Sequence, residues 1–369
     1  MKLLALVPGL YNTSPGQRFR MEQWEPLLRE WGVEIDFHSF ECEYLHSLLY
    51  KPGNFPRKLQ LILCAFARRL SVLRSVRDYD AVYVFREAAL LGPPFFERWI
   101  HQSGVPMIFD FDDAIFVPYV SPSNGYLSLL KMPAKTRTIC RIAAHVMVGN
   151  QYLADYARCA NNRVTIVPTT IDTSVYTIDH PKPASDPPVI GWTGSYSTVQ
   201  HLDRLRGALQ RLARHERFRL RVIGAPNYQL DGVEVEARWW RAETEVADLR
   251  PIDIGVMPLP EDPWSRGKCG LKALQYMALG IPAVCSPVGV NSEIISDGEN
   301  GFLADSEDEW IEKLARLLRS AELRERLGLA GRATVEARYS AKVQAARVYR
   351  ILESVVNKAR EPAAVKSVA

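Results

Sequence analysis

Long apolar runs are missing from this sequence. No stretch of about 18 apolar residues occurs among its 369 residues, so a membrane-spanning helix is not expected. The apolar start Leu3-Leu4-Ala5-Leu6-Val7 stops at Pro8-Gly9 without a cleavage-site pattern. It is too short for a signal peptide and reads as a buried first strand. Cysteine is sparse: six residues, at 42, 64, 140, 159, 269 and 285, with no C-x-x-C pair. That argues against a disulfide framework or structural zinc site and for reduced thiols in a cytoplasmic setting. A large excess of one charge sign is missing as well. A net charge of +4 does not call for nucleic acid, although it suits acidic ligands such as diphosphates. There is no short-period repeat.

What is present is β-α alternation, which predicts parallel sheets. Strands are expected at Lys2–Val7, Val33–Phe40, Asp80–Phe85, Val105–Phe111, His145–Val148 and Val164–Val167, with helices over Arg18–Trp31 and Pro56–Arg77. A segment rich in Pro, Asp, Ser and Thr follows, with Pro181, Pro183, Pro187 and Pro188. A second series then runs through strands at Val189–Trp192, Phe218–Ile223, Ile252–Met257 and Pro282–Cys285, with helices at Thr198–Arg214, Glu243–Leu249, Leu271–Leu279, Trp310–Leu318 and Ala321–Tyr339. The expected organisation is an N-terminal Rossmann-like domain over 1–168, a linker over 169–188 and a C-terminal Rossmann-like domain over 189–340. A helix over 341–360 packing back toward the N-terminal domain and a disordered tail over 361–369 complete it.

The densest chemical signal lies between Pro258 and Gly301. A buried strand ends at Pro258-Leu259-Pro260-Glu261-Asp262-Pro263-Trp264-Ser265-Arg266-Gly267-Lys268-Cys269-Gly270, and an apolar helix starts at Leu271-Lys272. Glycine permits close backbone approach, and a first helical turn offers unpaired N–H groups and a positive dipole end. With Arg266, Lys268 and Lys272 the segment makes a chemically sensible diphosphate cradle. On chemistry alone a plain strand–loop–helix connection with solvated lysines stays equally open.

Here the sequence resembles a family. Gly270-Leu271-Lys272-Ala273-Leu274-Gln275-Tyr276-Met277-Ala278-Leu279-Gly280-Ile281-Pro282 is similar to the nucleotide-sugar segment of family-4 glycosyltransferases, E-G-F-G-L-x-x-L-E-A-M-A-x-G-x-P. Gly289-Val290-Asn291-Ser292-Glu293-Ile294-Ile295 and Asp297-Gly298-Glu299-Asn300-Gly301-Phe302-Leu303 resemble the motifs that follow it. The resemblance is dense over 250–340, thinner over 145–200 and faint before 120. It implies a GT-B fold: α/β, with two Rossmann-like domains whose parallel sheets face a central cleft, donor on the C-terminal side and acceptor on the N-terminal side. It also implies a retaining, metal-independent reaction without a cofactor, the nucleoside diphosphate sugar being a co-substrate and UDP the default base.

The sequence departs from that family at two points. The glutamates of the E-x7-E pair align with Gly267 and Gln275, so Arg266 and Lys268 are expected to serve near the donor sugar and Gln275 near the ribose. The segment Gly191-Trp192-Thr193-Gly194-Ser195-Tyr196-Ser197-Thr198 stands where the family has G-R-L-x-x-x-K-G, and Gly194 and Ser195 are assigned to the phosphate side. Gly270, Leu271 and Lys272 complete the donor set.

The N-terminal half offers Asp110-Phe111-Asp112-Asp113 at a strand's carboxyl end, where open α/β sheets gather ligands. Asp112 and Asp113 are taken, with Lys268, as catalytic candidates. D-x-D as a metal grip and Asp as a helix cap are the alternatives. Arg18, Arg86 and Glu87 are candidates for the acceptor or cleft, Arg20 being a further cation that could reach a diphosphate, while Arg86 and Glu87 could instead pair internally. His145 and His201 read as structural. The stretch 56–77 is basic and amphipathic, which suits either a helix packed on its sheet or peripheral contact with anionic lipid at the inner face of the plasma membrane.

The expected function is transfer of a hexosyl-type sugar from a nucleoside diphosphate sugar to an acceptor hydroxyl on a glycan or lipid-linked acceptor, as in cell-surface polysaccharide or glycoconjugate synthesis. The missing glutamates motivate an alternative: a non-catalytic GT-B-like protein that binds a nucleotide sugar or a partner. A GT-B epimerase would need carboxylates and a histidine around the cleft that the sequence does not place.

Overall fold

The structure, a computed structural model, describes residues 1–49, 51, 53–118, 130–178, 185–195 and 198–361. The chain divides into two compact units, one from Met1 to Pro168 together with the residues from Gln344 on, the other from Thr169 to Val343. Tyr196, Ser197, Pro181, Pro183 and the tail beyond Glu361 lie outside the described residues.

The first unit is built on a parallel six-stranded sheet in the order β2-β1-β3-β4-β5-β6. The strands are β1 (Lys2–Val7), β2 (Glu34–Ser39), β3 (Ala81–Phe85), β4 (Met107–Phe111), β5 (His145–Val148) and β6 (Val164–Ile166). β3 and β4 are buried along their whole length, as expected of parallel strands covered on both faces. The chain reverses its winding between β1 and β3, which opens a crevice at their carboxyl ends.

The second unit repeats the plan with the order β12-β11-β10-β7-β8-β9, again parallel. Its strands are β7 (Val189–Thr193), β8 (Arg219–Ile223), β9 (Glu234–Arg238), β10 (Ile254–Met257), β11 (Ala283–Cys285) and β12 (Phe302–Leu303). Its switch point lies between β7 and β10. Each sheet carries its own apolar core, and in the second Trp192, Leu220, Val222, Ile254 and Val256 form the centre. The two parallel six-stranded sheets with flanking helices are the α/β class that the sequence predicts.

Several elements differ from the sequence reading. β4 starts at Met107 rather than Val105, because Pro106 has no N–H to give the ladder; its carbonyl accepts from Val82 instead. The helix expected over Arg18–Trp31 is interrupted: Phe19 and Arg20 have non-helical backbone angles before the regular helix Gln23–Glu30. The helix expected over Thr198–Arg214 is divided into Val199–Leu202, a 3₁₀ turn at Asp203–Leu205 and Arg206–Leu212. Helices at Glu43–Leu49, Phe95–Ser103, Lys135–Ile142 and Gln151–Arg158, and the strand β9, were not anticipated.

The basic stretch forms the helix Phe55–Arg74. Its inward face carries Lys58 and Arg69 among Ile62, Ala65 and Leu73. Arg69 donates to the carbonyls of Val7 (3.1 Å), His38 (2.8 Å) and Ala88 (3.0 Å). One guanidinium thereby ties the carboxyl ends of β1 and β2 to the loop after β3. No helix among the described residues is long and apolar enough to cross a membrane, and all six cysteines are free thiols.

Candidate functional site

In the second unit the predicted donor residues flank the switch point. β7 ends at Thr193, and the chain turns at Gly194-Ser195, where the Ser195 N–H donates to Thr198 Oγ1 (3.0 Å) and the Thr198 N–H to the Ser195 carbonyl (2.9 Å). The turn needs glycine on both sides. A Cβ on Gly224, whose φ is +97°, would lie 1.7 Å from the Gly194 carbonyl oxygen, and one on Gly194 would strike the Trp192 ring at 2.4 Å. The ends of β7 and β8 are thus in direct backbone contact.

On the other side of the switch point, β10 runs into the 258–270 loop. Asp262 caps the short helix Pro263–Arg266 by accepting from the Ser265 N–H (2.7 Å). Gly270, with φ +71°, then starts the helix Leu271–Ala278 and has no side chain with which to cap it. Burial of Ala273 through Ala278 fixes that helix against the sheet, each large apolar side chain contributing roughly 1.5–3 kcal/mol. Its first turn therefore holds Lys272 over the Trp192 ring, 5.6 Å from the centroid, while Lys268 sits 5.0 Å from the Trp264 centroid.

His201 belongs to the same neighbourhood. Burial pushes its pKa down to about 4, helped by the charges of Lys272 and Lys268 and opposed by Asp262. A lone histidine in the sequence reads as structural; its place beside the two lysines is not legible from spacing. His145, by contrast, fits the structural role: it is bonded to Thr165 Oγ1 at 2.9 Å, and burial again pushes its pKa to about 4.

Two predicted donor residues point elsewhere. Arg266 is exposed and pairs with Glu261. Gln275 is buried, and its Nε2 donates to the Tyr176 hydroxyl (2.9 Å), which donates in turn to Glu245 (2.9 Å), a carboxylate that also accepts from Trp240 (2.9 Å). The amide nitrogen expected at a ribose is engaged in this internal chain. Leu271 is half-buried in the first turn of its helix.

In the first unit the candidates lie after the strand ends, and each carboxylate among them finds a counter-charge. Asp110 is fully buried and held by Arg20 through two bonds of 2.7 and 2.5 Å, with the Tyr83 hydroxyl donating to it as well. Arg20 gives its remaining arm to the Val167 carbonyl (2.7 Å), so it cannot reach a ligand, and the backbone break at Phe19-Arg20 delivers it there. Burial alone would lower the Arg20 guanidinium, but the Asp110 charge outweighs it; on the other side of the pair, burial raises the Asp110 carboxyl despite Arg20 and Tyr83.

Asp112 accepts from Arg86 Nε and Nη2, both at 2.8 Å, and Asp113 lies 3.7 Å from the same guanidinium. Asp110 and Asp112 are thus committed to separate arginines rather than converging as a D-x-D grip. Arg86 has a left-handed backbone, φ +59°, and its N–H donates to the Asp110 carbonyl (2.6 Å). The pair lies against Gly16, where a Cβ would come 2.6 Å from Arg86 Nη2 and 2.7 Å from Asp112 Oδ2. Glu87 turns away to Lys135 (2.6 Å), and burial raises its carboxyl above the ordinary value despite that pairing. Arg18 donates to Asn12 Oδ1 (2.8 Å) on the loop after β1.

Comparison with known proteins agrees with this architecture. Residues 187–320 match the family model described as Glycosyl transferases group 1. A curated relative, a D-inositol 3-phosphate glycosyltransferase from Acidothermus cellulolyticus, is 23% identical over 291 residues, 68% of this chain. That match spans only 62% of the relative's length. Among solved structures, a sucrose-phosphate synthase from Thermosynechococcus elongatus superposes with a TM-score of 0.71 at 14% identity, covering 97% of this chain and 100% of that one. The Anabaena protein HepE, solved with UDP and glucose, gives 0.65 at 14% identity, covering 96% and 100%. A glycosyltransferase from Rickettsia africae gives 0.67 at 13% identity, covering 96% and 98%. The chain thus has the GT-B fold of these glycosyltransferase structures, and its residues 187–320 are similar to the glycosyl transferases group 1.

Proposed function

We propose that the protein transfers a hexosyl-type sugar from a nucleoside diphosphate sugar, with UDP the first base to try, to an acceptor hydroxyl on a glycan or lipid-linked carrier in the cytoplasm. The observation that supports it most is the basic cluster at the second unit's switch point. Lys272 over Trp192, Lys268 and neutral His201 stand beside the uncapped first turn that follows Gly270. Such a cluster suits a leaving diphosphate: as the bond from the anomeric carbon to the phosphate oxygen breaks, the developing charge meets ammonium groups and backbone N–H donors. In this reading Gly194 and Ser195 let the phosphates approach the backbone of the β7 turn, and no metal is required for charge neutralisation.

The first unit is assigned the acceptor. Asp112 and Asp113, already balanced by Arg86, would orient the attacking hydroxyl, which bonds to the anomeric carbon as its proton passes to the departing diphosphate oxygen. The reaction is proposed to retain configuration. Donor hydrolysis and transfer by the wild type and Lys268→Ala test the phosphate assignment, and unchanged turnover in the variant would remove it. A thermal-shift screen of UDP, GDP, ADP and TDP identifies the base.

One feature favours the alternative of a non-catalytic nucleotide-sugar binder: Gly267 stands where the family glutamate is expected, and Gln275 is engaged with Tyr176. Calorimetric binding of a nucleotide, without hydrolysis or transfer across a panel of acceptors, would select that alternative.

A further inference from the structure

The helix Phe55–Arg74 buries charge and exposes apolar side chains beside its ordinary apolar inner contacts. Two of its cations are inward, Lys58 on the Lys51 carbonyl and Arg69 on three carbonyls. Its outward face shows Phe55, Leu59 and Leu63, which are 51%, 46% and 61% exposed and recur once per turn. The apolar surface continues onto the neighbouring helix Phe95–Ser103. Phe66 meets Phe96 at 5.4 Å, Phe96 meets Phe95 at 5.5 Å, and Phe95 meets Trp99 at 5.9 Å, the last two being 50% and 36% exposed. Leu130 and Met132, 53% and 45% exposed, precede the helix Lys135–Ile142, which packs on Phe95–Ser103. Single exposed hydrophobics are ordinary, but a run of them across adjoining helices marks a docking surface.

Charge indicates what docks. The segment Phe55–Arg74 contains Arg57, Lys58, Arg68, Arg69 and Arg74 and no Asp or Glu. Arg57 and Arg74 are exposed on it, as is Arg98 on the neighbouring helix. The acids beneath are withdrawn: Glu97 is buried and accepts the Ala88 N–H, and Glu87 is paired with Lys135. Among these helices the exposed acid is Glu43, on the adjoining Glu43–Leu49. Exposed apolar side chains on helices that also expose Arg57, Arg74 and Arg98 complement a bilayer whose surface is anionic, the apolar groups entering the headgroup layer and the cations meeting lipid phosphates.

We propose that the face formed by the helices Phe55–Arg74 and Phe95–Ser103 docks peripherally on an anionic lipid bilayer, with Leu59, Leu63, Phe95 and Trp99 in the headgroup layer. The docking is independent of the sugar-transfer reading, because it uses none of the site residues.

Co-sedimentation of the full chain with vesicles is the test, comparing phosphatidylcholine alone with phosphatidylcholine mixed with phosphatidylglycerol, at low and high salt. The expected result is binding to the mixed vesicles that weakens with salt. The double variant Leu59→Gln/Leu63→Gln should bind at least about tenfold more weakly, and Arg57→Gln about fivefold. A nucleotide-induced thermal shift or an unchanged far-UV spectrum establishes that each variant is folded. Equal binding to both vesicle types, no binding by the wild type, or binding that survives the double variant would overturn the proposal. So would a concentration-dependent dimer, seen by sedimentation, that the double variant abolishes, since the face would then be covered by a second copy.

Discussion

The two units share one architecture and arrange charge at the switch point in opposite ways. In the first unit acids carry the edge and each is answered within the fold: Asp110 by Arg20, Asp112 by Arg86, Glu87 by Lys135. In the second unit cations carry it, with Lys272 over Trp192 and Lys268 over Trp264 beside a histidine kept neutral. A carboxylate already balanced by a guanidinium suits hydrogen bonding to a neutral hydroxyl. A lysine over an indole face suits an arriving anion. A doubly wound sheet therefore fixes where a ligand can sit, and the side chains after its strands decide which charge it carries.

The strongest way to break the comparison is at the buried pair. Arg20→Ala strips the buried Asp110 of its cation and of two hydrogen bonds and should cost about 3–5 kcal/mol, read as a fall in the denaturant midpoint. A near-neutral result would show that the first unit's acids are not balanced internally. Next, Lys272→Ala should weaken binding of a nucleoside diphosphate by about 2–3 kcal/mol in calorimetry while leaving the denaturant midpoint close to wild type. Equal affinities would detach the second unit's cations from the anion. Gly16→Ala forces the Arg86 guanidinium to shift from Asp112 and should lower stability by about 1–3 kcal/mol. Under the acceptor reading it also raises the KM for acceptor more than that for donor.

The smallest expected effect is on pH. His145 and His201 are held near pKa 4 against an ordinary 6.5, so the unfolded chain takes up protons first as pH falls. Their contribution to stability is complete above 6.5 and is lost as pH drops toward about 4. After solvent screening of half-buried His201, His201→Gln should reduce that loss by about 1 kcal/mol, visible in denaturant midpoints taken at neutral and mildly acidic pH. An identical pH slope in the variant would take His201 out of the cluster.

Much of this was legible in the sequence because parallel strands read as apolar runs. Lys2–Val7, Ile252–Met257 and the strand–loop–helix around Gly270 needed only local pattern. β9 escaped because Glu234-Val235-Glu236-Ala237-Arg238 is polar, and only its pairing with β8 makes it a strand. The pairing of Arg20 with Asp110 joins residues 90 positions apart, and Gln275 meets Tyr176 across 99. No spacing rule sees such contacts. The same limit applies to the helix Phe55–Arg74: its composition is plain, but the inward turn of Arg69 depends on carbonyls supplied by three distant segments.

Arg69 is where that dependence concentrates. Val7 and His38 lie on strands that the β1–β2 ladder joins, whereas Ala88 lies in the loop after β3, outside any ladder, yet all three carbonyls share one buried guanidinium. Local fraying at any of these ends must leave Arg69 partly unsatisfied. In native-state hydrogen exchange, the amides at the carboxyl ends of β1, β2 and β3 should therefore open as one cooperative block rather than strand by strand.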